Sequence, residues 1–323
     1  MASFDMAVRT TGLTKRYSNT LALDKVDLAV PAGTVHGLLG PNGAGKTTAV
    51  RILTTLTRLD EGRAQVAGLD VGTQARQVRR HIGLTGQQTA VDDLLTARQN
   101  LTMFGRLFRL DKTAARRRAD ELLEMFSLTE AASRVPKTFS GGMRRRLDLA
   151  ASMILAPQVL FLDEPTTGLD PAGRREVWQA VRDLAGRGAT VLLTTHYLDE
   201  ADQLCDRISL IDDGRNLIED TPAGLKRRIG DEHLEVTVSD PSDLPRLSEV
   251  IRRLTGAEPS VAESAGTVSA AVSDGVTSLT AVAAEVRDHQ IEIADIVLRR
   301  PTLDEAFLRL TSDRPAPRKE ALR

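Results

Sequence analysis

The chain is poor in cysteine and has no long hydrophobic run. Cys205 is the one cysteine in 323 residues, which excludes an internal disulfide and a cysteine-cluster metal site and is typical of a reducing cytosol. We expect Cys205 to be an ordinary packed side chain. No apolar stretch reaches the roughly 18 residues of a membrane-spanning helix, and the N-terminus lacks the hydrophobic segment of a secretory signal. The sequence therefore predicts a protein that stays inside the cell and does not cross a bilayer by itself.

The chain also has no excess of positive or negative charge. Lys and Arg number 43 and Asp and Glu 44, which gives a net charge of −1. Because no overall positive field would attract nucleic acid, we expect no nucleic-acid partner. Arginine triplets occur at residues 116–118 and 144–146. We interpret both as solvated helix faces that are balanced by nearby acids.

The length is enough for about two domains of ~150 residues. Residues 7–230 alternate short β-branched runs with helical patterns and glycine punctuation, which predicts an α/β domain with a largely buried sheet. Residues 231–311 contain shorter pieces in the order βαββαβ, which predicts a small α+β domain. Residues 312–323 are polar with two prolines and are predicted to be disordered.

A glycine-rich loop lies between a predicted strand, residues 34–39, and a predicted helix, residues 46–56. Its pattern of Gly, four residues, Gly, Lys and Thr is typical of a phosphate-binding loop. Glycines let the backbone wrap around phosphates, and the helix N-terminus adds partial positive charge. Lys46 is predicted to neutralise the β- and γ-phosphates, Thr47 to bind Mg²⁺ and Thr48 to reach the α-phosphate. The predicted nucleotide-binding residues of this segment are Gly40, Pro41, Asn42, Gly43, Ala44, Gly45, Lys46, Thr47 and Thr48.

A short apolar strand, residues 159–162, is followed by two carboxylates, Asp163 and Glu164. Burial of the strand would hold both acids in place. Asp163 is predicted to hold the water shell of Mg²⁺, and Glu164 to accept a proton from a water that attacks the γ-phosphate. The alternative is that both acids only cap the turn before Pro165, and the phosphate loop upstream weakens it.

Ser140, Gly141 and Gly142 lie at the start of another predicted helix, residues 143–155. Serine and two glycines at a helix N-terminus favour an anion, so this segment is predicted to bind phosphate as well. A plain N-cap is the alternative, because serine is a preferred capping residue. The position between the phosphate loop and the acidic strand favours phosphate binding.

Taken in order, the phosphate loop, Ser-Gly-Gly, residues 162–170 and Thr195-His196 resemble the ATP-binding subunit of an ABC transporter. The resemblance covers roughly residues 7–220. It implies an α/β phosphate-loop NTPase fold with a mixed β-sheet core and a helical subdomain at about residues 88–157. It also implies hydrolysis of ATP, with Mg²⁺ as the cofactor.

The resemblance implies roles for four further residues. Tyr17 would stack on adenine, with a buried core tyrosine as the alternative. Gln87 would touch Mg²⁺ and the attacking water and sense the membrane partner. His196 would contact the γ-phosphate and orient Glu164. Asp170 would lie in a loop that crosses to a second subunit.

Residues 143–148 and 300–308 narrow the resemblance to drug-export ATPases of the daunorubicin-resistance type. Met143 stands where the family usually has glutamine, which puts in doubt a contact to the ribose of a partner-bound nucleotide. Gln99 stands where relatives usually carry glutamate, and it would soften an ionic contact near the membrane interface. The resemblance implies that the C-terminal domain is regulatory or stabilises a dimer.

The implied assembly is a head-to-tail dimer in which Ser140, Gly141, Gly142 and Asp170 of one copy complete the ATP site of the other. The dimer would act at the cytoplasmic face of a bacterial membrane with a separate permease of about six spans. The implied cargo is a drug-like or amphiphilic compound whose efflux confers antibiotic resistance, and lipid or polysaccharide export stays open.

The alternative function is a soluble ABC-type ATPase that acts on ribosomes or nucleic acid. A single ATP module and the short segment over residues 47–139 disfavour it, because such relatives carry two modules or a long coiled-coil insertion. A subunit without enzymatic activity is disfavoured because Lys46, Asp163, Glu164 and His196 are all present.

Overall fold

The computed structural model describes residues 6–229, 232–299, 302–305 and 307. It divides into two compact units, of which the first ends at Pro222 and the second begins at Ala223. The tail predicted at residues 312–323 lies outside the described residues, as does part of the motif at residues 300–308. Within the described part, no helix combines the length and hydrophobicity needed to span a membrane.

The first unit contains ten strands, seven α-helices and two short 3₁₀ helices in its described part. The strands are β1 (Met6–Tyr17), β2 (Thr20–Pro31), β3 (Val35–Leu39), β4 (Glu61–Val66), β5 (Leu69–Asp70), β6 (Ile82–Thr85), β7 (Val159–Asp163), β8 (Thr190–Thr195), β9 (Arg207–Asp212) and β10 (Arg215–Asp220). The helices are α1 (Lys46–Leu53), α2 (Ala75–His81), α3 (Ala97–Leu107), α4 (Lys112–Met125), α5 (Gly141–Ser152), α6 (Pro171–Gly186) and α7 (Leu198–Leu204). Helix α8 (Pro222–Ile229) starts at the division between the units.

A six-stranded mixed sheet forms the centre of the first unit, in the order β10-β9-β3-β8-β7-β6. The neighbours from β9 to β6 are parallel, and β10 is antiparallel to β9. Every residue of β3, β7 and β8 is buried, as expected for strands that are covered on both faces. Because parallel strands end at the same edge, the loops after β3, β7 and β8 meet there. This arrangement brings the phosphate loop, the two acids and His196 to one edge.

A second, antiparallel sheet in the order β2-β1-β4-β5 packs against this centre. Its buried residues, including Val8, Leu23 and Val66, share one core with Val50 and Ile52 of α1. This sheet was not expected from the sequence. Strands β1 and β2 pair with several shifts of register, and such bulges interrupt the regular alternation by which a half-buried strand is recognised.

Helices α3, α4 and α5 lie in the segment predicted to form a helical subdomain. Helix α3 begins with a capping box between Thr96 and Gln99, and Asp111 caps α4. Helix α5 begins at Gly141, two residues earlier than predicted, because Ser140 caps it. Helix α1 ends at Leu53 rather than at residue 56, since Thr55 adopts a left-handed conformation with φ of 62°. Cys205 is free and buried, as expected.

The second unit has the predicted βαββαβ order. Its elements are β11 (Glu232–Val238), α9 (Leu244–Thr255), β12 (Ser260–Ala262), β13 (Thr267–Val272), α10 (Gly275–Asp288) and β14 (Ile293–Arg299). The strands form an antiparallel sheet in the order β12-β13-β11-β14. Leu234 and Val268 of this sheet share a core with Leu247 and Ile251 of α9 and Val282 of α10. One face of the sheet is therefore covered by the two helices.

Candidate active site

The phosphate loop runs from the end of β3 to the start of α1 through a confined space. A Cβ added at Gly40 would overlap the carbonyl oxygen of Ile211. Gly45 caps α1 with φ of 106°, a conformation that favours glycine, and an added Cβ there would strike the carbonyl oxygen of Ala22. The two glycines therefore allow a backbone path that a residue with a side chain would not follow.

Lys46 is held inside this loop. Its side chain is 4% exposed, and Nζ donates hydrogen bonds to the carbonyl oxygens of Gly40 at 2.7 Å and Pro41 at 2.9 Å. Burial lowers the pKa of Lys46, and the nearby charges of Glu164 and Asp163 oppose that shift. A cation is thus fixed at the place where phosphate oxygens would lie against the loop.

Asp163 connects three elements at the end of β7. Its Oδ1 accepts hydrogen bonds from Thr47 Oγ1 at 3.2 Å and from Thr194 Oγ1 at 2.6 Å. Thr47 opens α1 and Thr194 lies in β8, so the carboxylate is oriented from both sides. The structure therefore places the predicted Mg²⁺ ligands Thr47 and Asp163 in direct contact.

Glu164 follows Asp163 in a left-handed conformation with φ of 50°, which is costly for a residue other than glycine. Its backbone N–H donates to the carbonyl oxygen and to Oγ1 of Thr194, at 3.1 and 3.0 Å. Its Oε1 lies 3.3 Å from His196 Nδ1, and its Oε2 accepts from Thr167 Oγ1 at 3.3 Å. Both carboxylate oxygens are therefore held by neighbours, and His196 is in the predicted contact with Glu164.

A cavity of about 440 Å³ opens between these segments. Gln87, from the loop after β6, lines it together with Glu164 and the phosphate loop. The residues that line it are Ala22, Asn42, Gly43, Gly45, Lys46, Thr47, Thr48, Gln87 and Glu164. The structure thus brings together most of the predicted phosphate-loop residues with Gln87 and the predicted catalytic acid.

Tyr17 lies outside this group, at the end of β1. Its side chain is 44% exposed, and Lys15 Nζ lies 5.4 Å from the ring centroid. The alternative of a buried core tyrosine is wrong, because the ring is open to solvent.

Ser140 and Asp170 act as N-caps within the chain. Ser140 Oγ accepts from the backbone N–H of Met143 at 3.1 Å, and Asp170 Oδ1 accepts from that of Gly173 at 2.9 Å. Neither residue lines the cavity that contains Lys46. Gly142 lets α5 approach α6, because an added Cβ would lie 3.1 Å from the Cα of Gly173. Within one chain, these residues and exposed Gly141 do not meet the phosphate loop.

The interpretation of the arginine triplets as solvated helix faces is wrong for Arg145. It was expected on a solvated face, but it is 5% exposed. Its Nε donates to the carbonyl oxygen of Pro165 at 2.8 Å, and its Nη1 donates to that of Gly86 at 2.7 Å. Gly142 and Leu149, three residues before and four after Arg145, share its face of α5 and are also buried. This spacing shows in the sequence which residues share a face, but not what that face packs against.

Glu200 of α7 was also missed. It is fully buried, and its Oε1 accepts from Thr166 Oγ1 at 2.8 Å and Trp178 Nε1 at 3.1 Å. Burial raises the pKa of Glu200. The side chain links the loop after Glu164 to the helix after His196, and no local pattern distinguishes it from an exposed helical glutamate.

A glycine cradle with a buried lysine and a carboxylate–histidine pair, assembled where parallel strands end, defines a phosphate-loop nucleoside triphosphatase. The sequence profile of the family described as ABC transporter matches residues 23–167. The chain is 60% identical over 308 residues to "Daunorubicin resistance ATP-binding protein DrrA2" of Streptomyces coeruleorubidus, a match that covers 95% of this chain and 96% of the relative. The chain belongs to the family of ABC transporter ATP-binding subunits, and it hydrolyses ATP.

Two further comparisons agree. The chain is 48% identical over 320 residues to "Doxorubicin resistance ATP-binding protein DrrA" of Mycobacterium tuberculosis, covering 97% of this chain and 96% of the relative. A solved dimeric ATP-binding cassette in a post-hydrolysis state, bound to ADP and Pi, superimposes with a TM-score of 0.60 at 28% identity, covering 66% of this chain and 98% of the other. The predicted fold class, an α/β phosphate-loop ATPase with a mixed sheet, is confirmed.

Proposed function

We propose that this ATPase powers the export of a drug-like or amphiphilic compound through a separate permease at the cytoplasmic face of a bacterial membrane. The observation that carries the proposal is the 60% identity to a protein named for daunorubicin resistance. That match extends over both units of the chain, whereas the phosphate loop and the acids alone would be common to ATPases of many cargoes.

ATP binding rests on the phosphate loop. Its backbone N–H groups and the start of α1 supply positive potential, Lys46 neutralises the β- and γ-phosphates, and Thr48 contacts the α-phosphate. Tyr17 is the adenine contact, which its exposed ring allows.

Mg²⁺ fits the oxygen donors that meet beside the loop. Thr47 Oγ1, Asp163 Oδ1 and the side-chain amide oxygen of Gln87 are hard ligands of the kind that this ion prefers. In the part of the chain that the structure describes, no three His, Cys, Asp or Glu side chains form a metal-binding group. Thr47 and Gln87 would hold the ion directly and Asp163 would hold it through water, with phosphate oxygens of the nucleotide as further ligands. When bound, the ion neutralises the charge that develops on the phosphate oxygens.

Hydrolysis uses Glu164 as general base. Its carboxylate accepts the proton of the attacking water, while His196 at 3.3 Å and the Thr167 hydroxyl keep the carboxylate oriented. Gln87 lies across the same cavity and helps to hold the water in line with the γ-phosphate.

A second copy completes the site. Ser140, Gly141, Gly142 and Asp170 do not reach the phosphate loop of their own chain. In a head-to-tail pair they would face the partner's γ-phosphate, so ATP would join the two copies and hydrolysis would release them. The permease, with about six spans, senses this cycle through the loop that contains Gln87. We propose a regulatory or dimer-stabilising role for the second unit.

The test begins by isolating the tagged protein from its native membranes in mild detergent and identifying what co-purifies. We expect a stoichiometric membrane protein, together with ATP hydrolysis in the same material. Ribosomes or nucleic acid without a membrane protein would instead support the soluble alternative.

Efflux is then measured in cells that contain the co-purified membrane protein with either the wild-type chain or Glu164→Gln. Wild-type cells should accumulate less daunorubicin than cells with the matched inactive variant. If both kinds of cell accumulate the same amount of daunorubicin but differ in exported lipid or polysaccharide, the cargo is a lipid or a polysaccharide.

A further inference from the structure

Arg145 of α5 lies between two segments that contain the proposed reacting groups. Its Nη1 donates to the carbonyl oxygen of Gly86, directly before Gln87, at 2.7 Å. Its Nε donates to the carbonyl oxygen of Pro165, directly after Glu164, at 2.8 Å. Its Nη2 lies 3.4 Å from the carbonyl oxygens of Asp163 and Glu164. One buried guanidinium is therefore bonded to the backbone on both sides of the cavity.

Asp148, one turn later in α5, holds the other end of the Gln87 loop. Its Oδ1 accepts from the backbone N–H of Ala90 at 2.8 Å, and its Oδ2 accepts from Arg145 Nη1 at 3.3 Å. The side chains of both residues are almost fully buried, at 6% and 5% exposure. The segment over residues 86–90, which contains Gln87, is thus held at both ends by one turn of one helix.

The chemistry of the pair suits this task. A guanidinium presents five N–H donors in a rigid plane, so its carbonyl partners cannot shift independently of one another. Burial lowers the pKa of Arg145, while the charges of Asp148, Glu200 and Asp163 oppose the shift. Burial raises the pKa of Asp148, and the Ala90 N–H and Arg145 counteract it. The pair is costly to bury, and contacts that hold a functional geometry give a reason for its presence.

We propose that Arg145 and Asp148 are positioning residues that set the distance between Gln87 and Glu164, so that movement of the Gln87 loop reaches the catalytic carboxylate. The proposal rests on the hydrolytic roles proposed above for Gln87 and Glu164. Neither Arg145 nor Asp148 touches the nucleotide. Their effect on turnover passes through the backbone carbonyls of Gly86 and Pro165 and the N–H of Ala90.

The test is a double-mutant cycle on ATP hydrolysis by the full chain, between Arg145→Lys and Gln87→Ala. Arg145→Lys keeps the positive charge but loses the planar fork. It should lower kcat by about 10- to 100-fold, because a small misplacement of reacting groups is enough for such a loss. The KM for ATP should stay within about twofold, since the phosphate loop is untouched. In the Gln87→Ala background, Arg145→Lys should have almost no further effect. Arg117→Lys, at an exposed arginine of α4 that pairs with Glu121, is the matched control and should change neither parameter.

Equal losses from Arg145→Lys in both backgrounds would mean that Arg145 acts independently of Gln87, and they would overturn the proposal. If Gln87→Ala alone leaves kcat unchanged, the role of Gln87 fails and the proposal fails with it. The single variant Gln87→Ala tests the role of Gln87 before the double variant is made. If only the proposed role of Arg145 is wrong, Gln87→Ala still lowers kcat.

Amide hydrogen exchange gives a readout that does not depend on activity. Arg145→Lys should speed exchange over residues 86–90 while β3 keeps its protection. If Arg145→Lys does not fold, Asp148→Asn provides the same measurements. It keeps an acceptor for the Ala90 N–H but loses the charge that pairs with Arg145. Unchanged exchange over residues 86–90 in a folded variant would contradict the proposal.

Discussion

The phosphate loop at residues 40–47 and the segment at residues 140–142 have similar ingredients in different surroundings. Both place glycines and a hydroxyl at the start of a helix. The first has no side-chain cap, and it lines a cavity with Lys46 and Glu164. In the second, the Ser140 hydroxyl already accepts from the Met143 N–H, and Gly142 packs close to Gly173.

The difference teaches that a helix N-terminus becomes an anion site only when its surroundings add shape and charge. For the first segment, the same chain supplies the shape and the charge, because Glu164 after β7 and Gln87 after β6 line the cavity beside it. The second serves the fold as a cap and a close helix contact. Its proposed phosphate role requires a second copy, and the two segments can therefore be separated by mutation.

The largest expected effect is at Glu164, which lines the same cavity as the first segment. Glu164→Gln should slow turnover by about 10²- to 10⁴-fold, because the amide cannot accept the proton of the attacking water. ATP binding should be retained, since the phosphate loop is unchanged. Steady-state phosphate release and binding of a fluorescent ATP analogue measure the two effects, with Glu121→Gln on α4 as the exposed control. Unchanged turnover would remove Glu164 from its proposed role.

The strand that leads into the first segment contains an acid-sensitive group. His36 of β3 is fully buried, its Nε2 lies 2.9 Å from Ser209 Oγ, and its Nδ1 has no hydrogen-bond partner among the residues that the structure describes. Burial, with a smaller contribution from the charge of Arg207, lowers the pKa of His36 from 6.5 to about 4. The folded state therefore binds fewer protons than the unfolded state between these values, and stability falls as pH decreases through this window.

The shift in the pKa of His36 lowers the free energy of unfolding by about 3 kcal/mol between the two ends of this pH window. Denaturant unfolding at neutral pH and at about pH 5 should show a larger loss for the wild-type chain than for His36→Gln, which has no such proton to bind. Equal losses for the two proteins would show that His36 does not make this region sensitive to acid.

The second segment can be examined without disturbing its cap. Ser140→Asp and Ser140→Asn both keep an N-capping side chain, so both should unfold near the wild-type temperature. Only aspartate would oppose a phosphate of the partner copy. Ser140→Asp should therefore weaken ATP-dependent dimer formation by about 10²-fold, as expected for like charges in contact, whereas Ser140→Asn should be affected much less. Dimerisation is measured with Glu164→Gln in both proteins, and equal dimerisation would exclude a phosphate at Ser140.

The smallest expected effect separates the two glycines of that segment. Gly142→Ala would crowd the backbone of Gly173, while the Cβ of Gly141→Ala would meet only the end of the flexible Leu169 side chain. Because both changes gain similar helix propensity, their difference isolates packing. Gly142→Ala should be less stable than Gly141→Ala by about 1 kcal/mol in denaturant unfolding. A smaller cost at Gly142 would mean that the helix contact adapts.

Local features of the sequence were sufficient for much of the fold and part of the site. The strand–loop–helix order around Gly40 and Lys46, the apolar strand before Asp163 and the βαββαβ order of the second unit all depend on spacing over a few residues. Their predicted helices and strands agree with the structure apart from one to four residues at some ends. The antiparallel sheet of the first unit could not be predicted in this way. Its strand β1 pairs with β4, which lies more than forty residues away in the chain, as in the pair Val8 and Val66.

By itself, the sequence determined which groups can bind phosphate and move protons, and the order in which buried strands present them. These properties follow from residue chemistry and local backbone preference. Only the tertiary structure decided that Gln87 and Glu164 line one cavity and that Arg145 is buried between their loops. The carbonyls that hold Arg145 are 20 and 59 residues away in the chain. Which face of α5 meets them depends on how the whole helix packs, and that is a property of the assembled core.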